Sequence, residues 1–192
     1  KHEEAIDTLN RALNLEPENI QLLEAKKTSL VEMADFETLI EVCDRIIQVD
    51  NHNTKAWHDK AKALGALNRF DEALASAEAG LKSDTQFTEL WIIKAEVLLR
   101  LNRDMEALEA FDRALESRPG DRMTLYRKGR AMHDMGRFDD AVRSFSQILA
   151  NNPDDVKVLN YKATSLMKQV KFDDASADLD RAIALEPNNL KK

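Results

Sequence analysis

The chain has 192 residues, of which 43% are hydrophobic and 33% charged, and its formal charge is −7. That is enough apolar material for a core and too much charge for a membrane protein, with no apolar run near the roughly 18 residues of a spanning helix. The acidic balance argues against a general nucleic-acid binder, which needs a basic stripe to displace counterions, and the single cysteine, Cys43, excludes an intrachain disulfide or a zinc site built on several cysteines.

From the N-terminus, "KHEEAIDTLN" starts inside an amphipathic pattern, with no initiator Met and no signal-peptide apolar region. It reads as the start of a fragment. Residues 1–19 are expected to be the second helix of a truncated repeat, leaving Ala5, Leu9 and Ala12 partly uncovered. From there a period of 34 organises the chain: Pro119, Pro153 and Pro187 are spaced by it, Pro17 lies three periods before Pro119, and Trp57 and Trp91 are one period apart. Lys26, Lys60, Lys94, Lys128 and Lys162 keep the same step. This is the length of a helix–turn–helix repeat. Full repeats are expected at 20–53, 54–87, 88–121, 122–155 and 156–189, with a tail at 190–192, all in one solenoid domain.

With Trp57 at the fourth position of its repeat, position 8 reads Lys27, Ala61, Ala95, Gly129, Ala163. Position 17 reads His2, Phe36, Phe70, Asp104, Phe138, Phe172, and position 20 reads Ala5, Leu39, Ala73, Ala107, Ala141, Ala175. Trp57, Ala61 and Leu64 share one helical face, and Phe70, Ala73, Ala77 and Leu81 another. Repeat 20–53 departs from the plan: Lys27 occupies the close-packed position 8, so a wider helix spacing is expected there. Asp104 at position 17 is a smaller departure.

These residues resemble the tetratricopeptide repeat family, with a large residue at position 4, small at 8, aromatic at 17, Ala at 20 and Pro at 32. The unit with Leu125, Gly129, Gly136, Phe138, Ala141, Phe145 and Pro153 matches best, and lysine at position 7 is similar to prokaryotic and archaeal-type arrays. The resemblance implies an all-α, right-handed superhelical solenoid of antiparallel helix pairs. Eleven helices and no strand are expected. It also implies a non-enzymatic scaffold that binds a protein or peptide segment in a concave groove, without cofactor or metal.

The lysine in "LWIIKAEVLL", Lys94, has the surroundings of a catalytic amine, but a Schiff-base or general-base lysine is needed once, and this one recurs in every repeat. It is expected to be framework, with a packed stem and a charge at solvent or on a carboxylate. His2, His52, His58 and His133 lack the spacing of a zinc helix. Cys43 reads as a small buried hydrophobe, and Asp139–Asp140 and Asp173–Asp174 as caps and dipole partners of second helices.

The resemblance places the groove on the outer side of each first helix. The family's clamp for chaperone C-terminal carboxylates needs Lys at position 5 and Asn at 9, and no repeat here has that pair. The expected groove residues are Ile92, Ile93, Glu96, Leu99, Tyr126, Arg127, Arg130, His133, Tyr161 and Lys168. Ile92, Ile93, Leu99 and the tyrosines are expected to be exposed apolar contacts, and Arg127, Arg130 and Lys168 to receive carboxylates. The expected partner is an acidic protein segment with apolar anchors, not nucleic acid or membrane, and a cytoplasmic location is expected. The alternatives are a self-associating structural module and an accessory domain of a larger enzyme or sensor.

Overall fold

The repeat is punctuated twice per period, once inside each helix pair and once between pairs, and both marks are visible in the backbone. The computed structural model describes residues 2–186. Pro187, the expected tail and the His2 side chain lie outside the described residues. Among those residues there are eleven α-helices and no strand: α1 His2–Leu15, α2 Ile20–Met33, α3 Phe36–Val49, α4 Thr54–Ala66, α5 Phe70–Ser83, α6 Thr88–Arg100, α7 Asp104–Ser117, α8 Arg122–Asp134, α9 Phe138–Asn151, α10 Val156–Lys168 and α11 Phe172–Leu185. The fold is an all-α solenoid of helix pairs.

Inside a pair, the first helix stops at a left-handed residue. Ala34, Asn68, Asn102, Gly136 and Val170, each 34 residues after the last, have φ between +55° and +75°. The next backbone N–H returns to the carbonyl five residues back, as from Arg69 to Leu64 at 2.9 Å and from Lys171 to Leu166 at 3.0 Å. This closure satisfies helix-end carbonyls and reverses the chain in very few residues. Between pairs, Asn19, Asn53, Asp121 and Asp155 cap α2, α4, α8 and α10, each accepting from the N–H three residues on. Phe87 holds this place before α6 and makes no side-chain cap.

The acidic pairs are not caps. Arg137 and Lys171 occupy the N-cap positions of α9 and α11 without a side-chain cap bond, and Asp139, Asp140, Asp173 and Asp174 lie in the first helical turn. They complement the exposed N–H groups there. Asp140 also pairs with Arg137 at 2.6 Å and contacts Arg143.

The described residues form two compact units, one up to Arg103 and the other from Asp104 on. In the first, α1 to α6 pack each against the next and α4 also meets α6; in the second, α7 to α11 do the same and α8 meets α10. Small residues set the contact distance. A Cβ at Gly80 would lie 2.7 Å from both Leu90 Cδ1 and Trp57 Cβ, and one at Gly129 would lie 2.7 Å from Phe145 Cε1. In α1, Ala5, Leu9 and Ala12 are half-buried, with Leu13 alone in that helix fully buried.

The left-handed turns yield a prediction. Val170 is β-branched, has φ 61° and is 70% exposed, so its side chain adds strain and little packing. Relief of left-handed strain is worth roughly 1–2 kcal/mol, partly offset by the extra unfolded-state entropy of glycine. Val170→Gly should therefore raise the thermal midpoint, by about 2–4 °C if the net gain is about 1 kcal/mol. Val170→Gly melting at or below the parent temperature in a calorimetric scan would contradict the strain argument.

Candidate protein-interaction face

The recurrent lysines explain themselves first. Lys94 places Nζ 2.8 Å from Glu78 and 5.5 Å from the Trp91 ring centre. Lys60 does the same with Asp44 at 2.5 Å and Trp57 at 5.7 Å, and Lys128 pairs with Asp112. Each carboxylate lies sixteen residues earlier, on the preceding second helix. For Lys162 that place holds Ser146, and the lysine turns instead to Asp178, sixteen residues later, at 2.9 Å. For Lys26 it holds Asn10; burial, then the nearby Arg45 charge, lowers the Lys26 pKa. The carboxylate partners were readable as acids recurring at position 25.

Lys27 is a different object. It is 6% exposed and bonded to Glu24 at 2.7 Å and Asp59 at 3.0 Å. His58 Nδ1 lies 2.9 Å from Asp59, and Asn53 Nδ2 donates to Glu24 at 3.2 Å. Burial alone would lower the Lys27 pKa, but the bonds to Glu24 and Asp59 outweigh it and the net shift is upward. Asp59 mirrors this: burial would raise its pKa, but His58 and Lys27 hold it below the ordinary carboxylate value. Cys43, fully buried nearby, is pushed up to about 12 by burial and stays a thiol.

The expected groove residues divide between the units. In the first, Glu96 is exposed and Ile92 and Leu99 are half-buried, but Ile93 is only 7% exposed, which corrects the expectation of an open contact. Position 6 faces the preceding first helix, and Ala61 and Gly65 let α4 come close enough to cover it. Ile93, Leu99, Phe70, Gly65 and Ala66 line a cavity of about 390 Å³, rimmed by Lys62, Glu96 and Arg100. A Cβ at Gly65 would meet only Val97 Cγ2, at 4.0 Å. The Arg100 guanidinium stacks 4.7 Å from the Phe70 ring centre.

In the second unit Arg130 and Lys168 are exposed, and Arg127 and Tyr161 half-buried. His133, also half-buried, hydrogen-bonds Ser165 at 2.8 Å and meets Phe138 edge-on. Tyr126 is 5% exposed, against expectation, because Tyr161 on the next first helix lies edge-on over it at 5.4 Å. Arg130 stacks on both rings, and Lys157 sits 4.6 Å from the Tyr126 ring centre. Lys157 and Gly65 stand at groove-side positions 2 and 12 of their repeats but outside the expected binding set, and Phe70 reads as framework only.

No group of three or more His, Cys, Asp or Glu side chains among the described residues can hold a metal, and no described helix is long and apolar enough to cross a membrane.

The profile of the tetratricopeptide repeat family matches residues 58–122 and 126–189, and the chain belongs to that family. Its fold is that of a protein–protein interaction scaffold, and proteins of the family are typically non-enzymatic. No protein of curated function matches the sequence. Among solved structures, MamA is similar with a TM-score of 0.80 at 16% identity, covering 91% of this chain and 96% of MamA. YrrB, described as a TPR protein with an unusual peptide-binding site, has a TM-score of 0.75 at 18% identity, covering 95% and 94%. Residues 41 to the end of MamA from Desulfovibrio magneticus RS-1 give 0.78 at 14%, covering 88% and 95%. At such identities the likeness is one of fold.

The two kinds of lysine respond differently to removal. Lys94→Met should change stability by less than about 1 kcal/mol, because an exposed pair contributes that little. Lys27→Met leaves Glu24 and Asp59 without their shared cation and should cost about 3 kcal/mol. Urea unfolding of both variants checks this, and equal midpoints would refute the distinction.

Proposed function

We propose that the chain is a non-enzymatic scaffold whose first helices bind a peptide or helix segment of a protein partner, acidic and carrying apolar anchors. The cavity between α4 and α6 carries this reading. It is lined by Gly65, Ala61 and Ala66, by Ile93, Leu99 and Phe70, and by Lys62, Glu96 and Arg100, two cations to one acid. An apolar side chain of leucine size would lose its water there while neighbouring carboxylates meet the rim cations. The peptide-binding site of YrrB supports the reading by analogy of fold. In the second unit, Arg127, Arg130 and Lys168 supply further positive charge, and Tyr161 adjoins them.

Self-association is a second reading, favoured by Leu15, which is 85% exposed beside the half-buried Leu9 and Ala12. Sedimentation across a concentration series separates it from partner binding.

The test uses a displayed library of random peptides selected against the immobilised chain. Selected sequences should pair a Leu, Ile or Phe with nearby Asp or Glu. A Cβ has room at Gly65, so Gly65→Leu should fill the cavity and stabilise α4 by about 0.5–1 kcal/mol through helix propensity. It should weaken the selected peptides by about tenfold or more, since one buried leucine is worth roughly 1.5–3 kcal/mol. Unchanged affinity in Gly65→Leu would remove this cavity from the binding face.

A further inference from the structure

Arg100 lines the cavity between α4 and α6 and is held in place before any ligand arrives. Its guanidinium lies 4.7 Å from the Phe70 ring centre, and Nη2 donates to Asn68 Oδ1 at 3.3 Å. Phe70 lines the same cavity and is half-buried, whereas Arg100 is exposed. A guanidinium is planar and weakly hydrated, so it stacks readily on rings. One already fixed on a ring loses little further freedom when a ligand covers it. Phe70 takes one face of this ion, and the other is left to solvent and to whatever enters the cavity.

This stack is not part of the repeating framework. The residues equivalent to Arg100 in the other repeats are Glu32, Ala66, Asp134 and Lys168, none of which has a planar cation. The cavity of about 390 Å³ has room for a ring. Any apolar anchor seated in it covers the guanidinium as well. An aliphatic anchor strips water from a cation and returns no electrostatic attraction. An aromatic ring offers the negative face of its quadrupole and returns one. Two anchors of equal size and apolarity therefore differ in this single respect.

We propose that the anchor received by this cavity is an aromatic side chain of the partner segment, stacked on the open face of Arg100 to complete a sandwich of Phe70, guanidinium and ligand ring. The proposal rests on the reading of the cavity as a partner-binding site and makes Arg100 its specificity-determining residue. Lys62 and the edge of the guanidinium remain for carboxylates beside the anchor.

The probes are acetylated, amidated pentapeptides Glu-Glu-X-Glu-Glu in which X is phenylalanine, cyclohexylalanine or leucine, titrated into the isotope-labelled chain and followed by NMR. Cyclohexylalanine keeps the size and apolarity of phenylalanine and lacks its π face. The parent should bind the phenylalanine peptide roughly threefold to tenfold more tightly than the cyclohexylalanine peptide. The Gly65 amide should shift with both, and the Arg100 Nε–H should move upfield, under the ring current, with phenylalanine alone. Arg100→Gln keeps most of the stem and removes the cation. It should weaken both peptides and bring the ratio of their affinities close to one, the lost attraction to the glutamates cancelling in that ratio. The proposal is overturned if the parent binds the two equally, or if their gap survives in Arg100→Gln. It is also overturned if the Gly65 amide responds to the phenylalanine peptide while Arg100 Nε–H does not move upfield. Equal binding of all three peptides would retain the cavity and remove the stack. If none of them shifts the Gly65 amide, the cavity is no binding site and the inference falls with it.

Discussion

Helices in this chain pack so closely that at two glycines the contact has no room for a methyl group: Gly80 against the side chains of Leu90 and Trp57, and Gly129 against that of Phe145. That proximity is what the period of small residues at Ala61, Ala95, Gly129 and Ala163 provides. A helix pair alone leaves one apolar face uncovered, so each pair must take its neighbour as part of its core. Close packing then dictates the turns. With helices this near, the connection has room for a single left-handed residue, and the same backbone closure recurs from Ala34 to Val170 whatever the side chain.

Lys27 shows what happens when the constraint is broken. A long charged side chain occupies a position that elsewhere is Ala or Gly, and it remains 6% exposed. Its ammonium is not left bare: Glu24 and Asp59 bind it, and His58 and Asn53 tie those carboxylates down in turn. A buried cation is tolerable only with its partners, since removing either side leaves an uncompensated charge. The neighbourhood became a polar core in place of an apolar one. Cys43 beside it is correspondingly a thiol out of reach of solvent.

The same logic of pairing accounts for most of the framework charge. Along the array a lysine in the first helix finds an acid on a neighbouring second helix, sixteen residues away, and its stem covers tryptophan where there is one. Such a cation has little left to offer a ligand. Arg130 and Lys157 instead lie over tyrosine rings. Lys26, whose partner position holds Asn10, is the exception among the five lysines.

Much of this was readable in the residues. The period, the eleven helices, the framework role of Lys94 and the burial of Cys43 all follow from local rules: which side chains recur, at what spacing, and what a helix of that pattern must cover. The acids that neutralise the lysines recur as well, and their partnership was a matter of counting sixteen residues. Tertiary structure alone decided which groove positions stay open. Ile93 and Tyr126 sit on the outer side of their helices, yet both are buried, Tyr126 with Tyr161 edge-on over it. Position on a helical wheel describes a single helix, whereas exposure depends on how near the next one comes. That distance is fixed by the small residues of the adjacent repeat, 34 positions away in sequence and a few ångströms away in space.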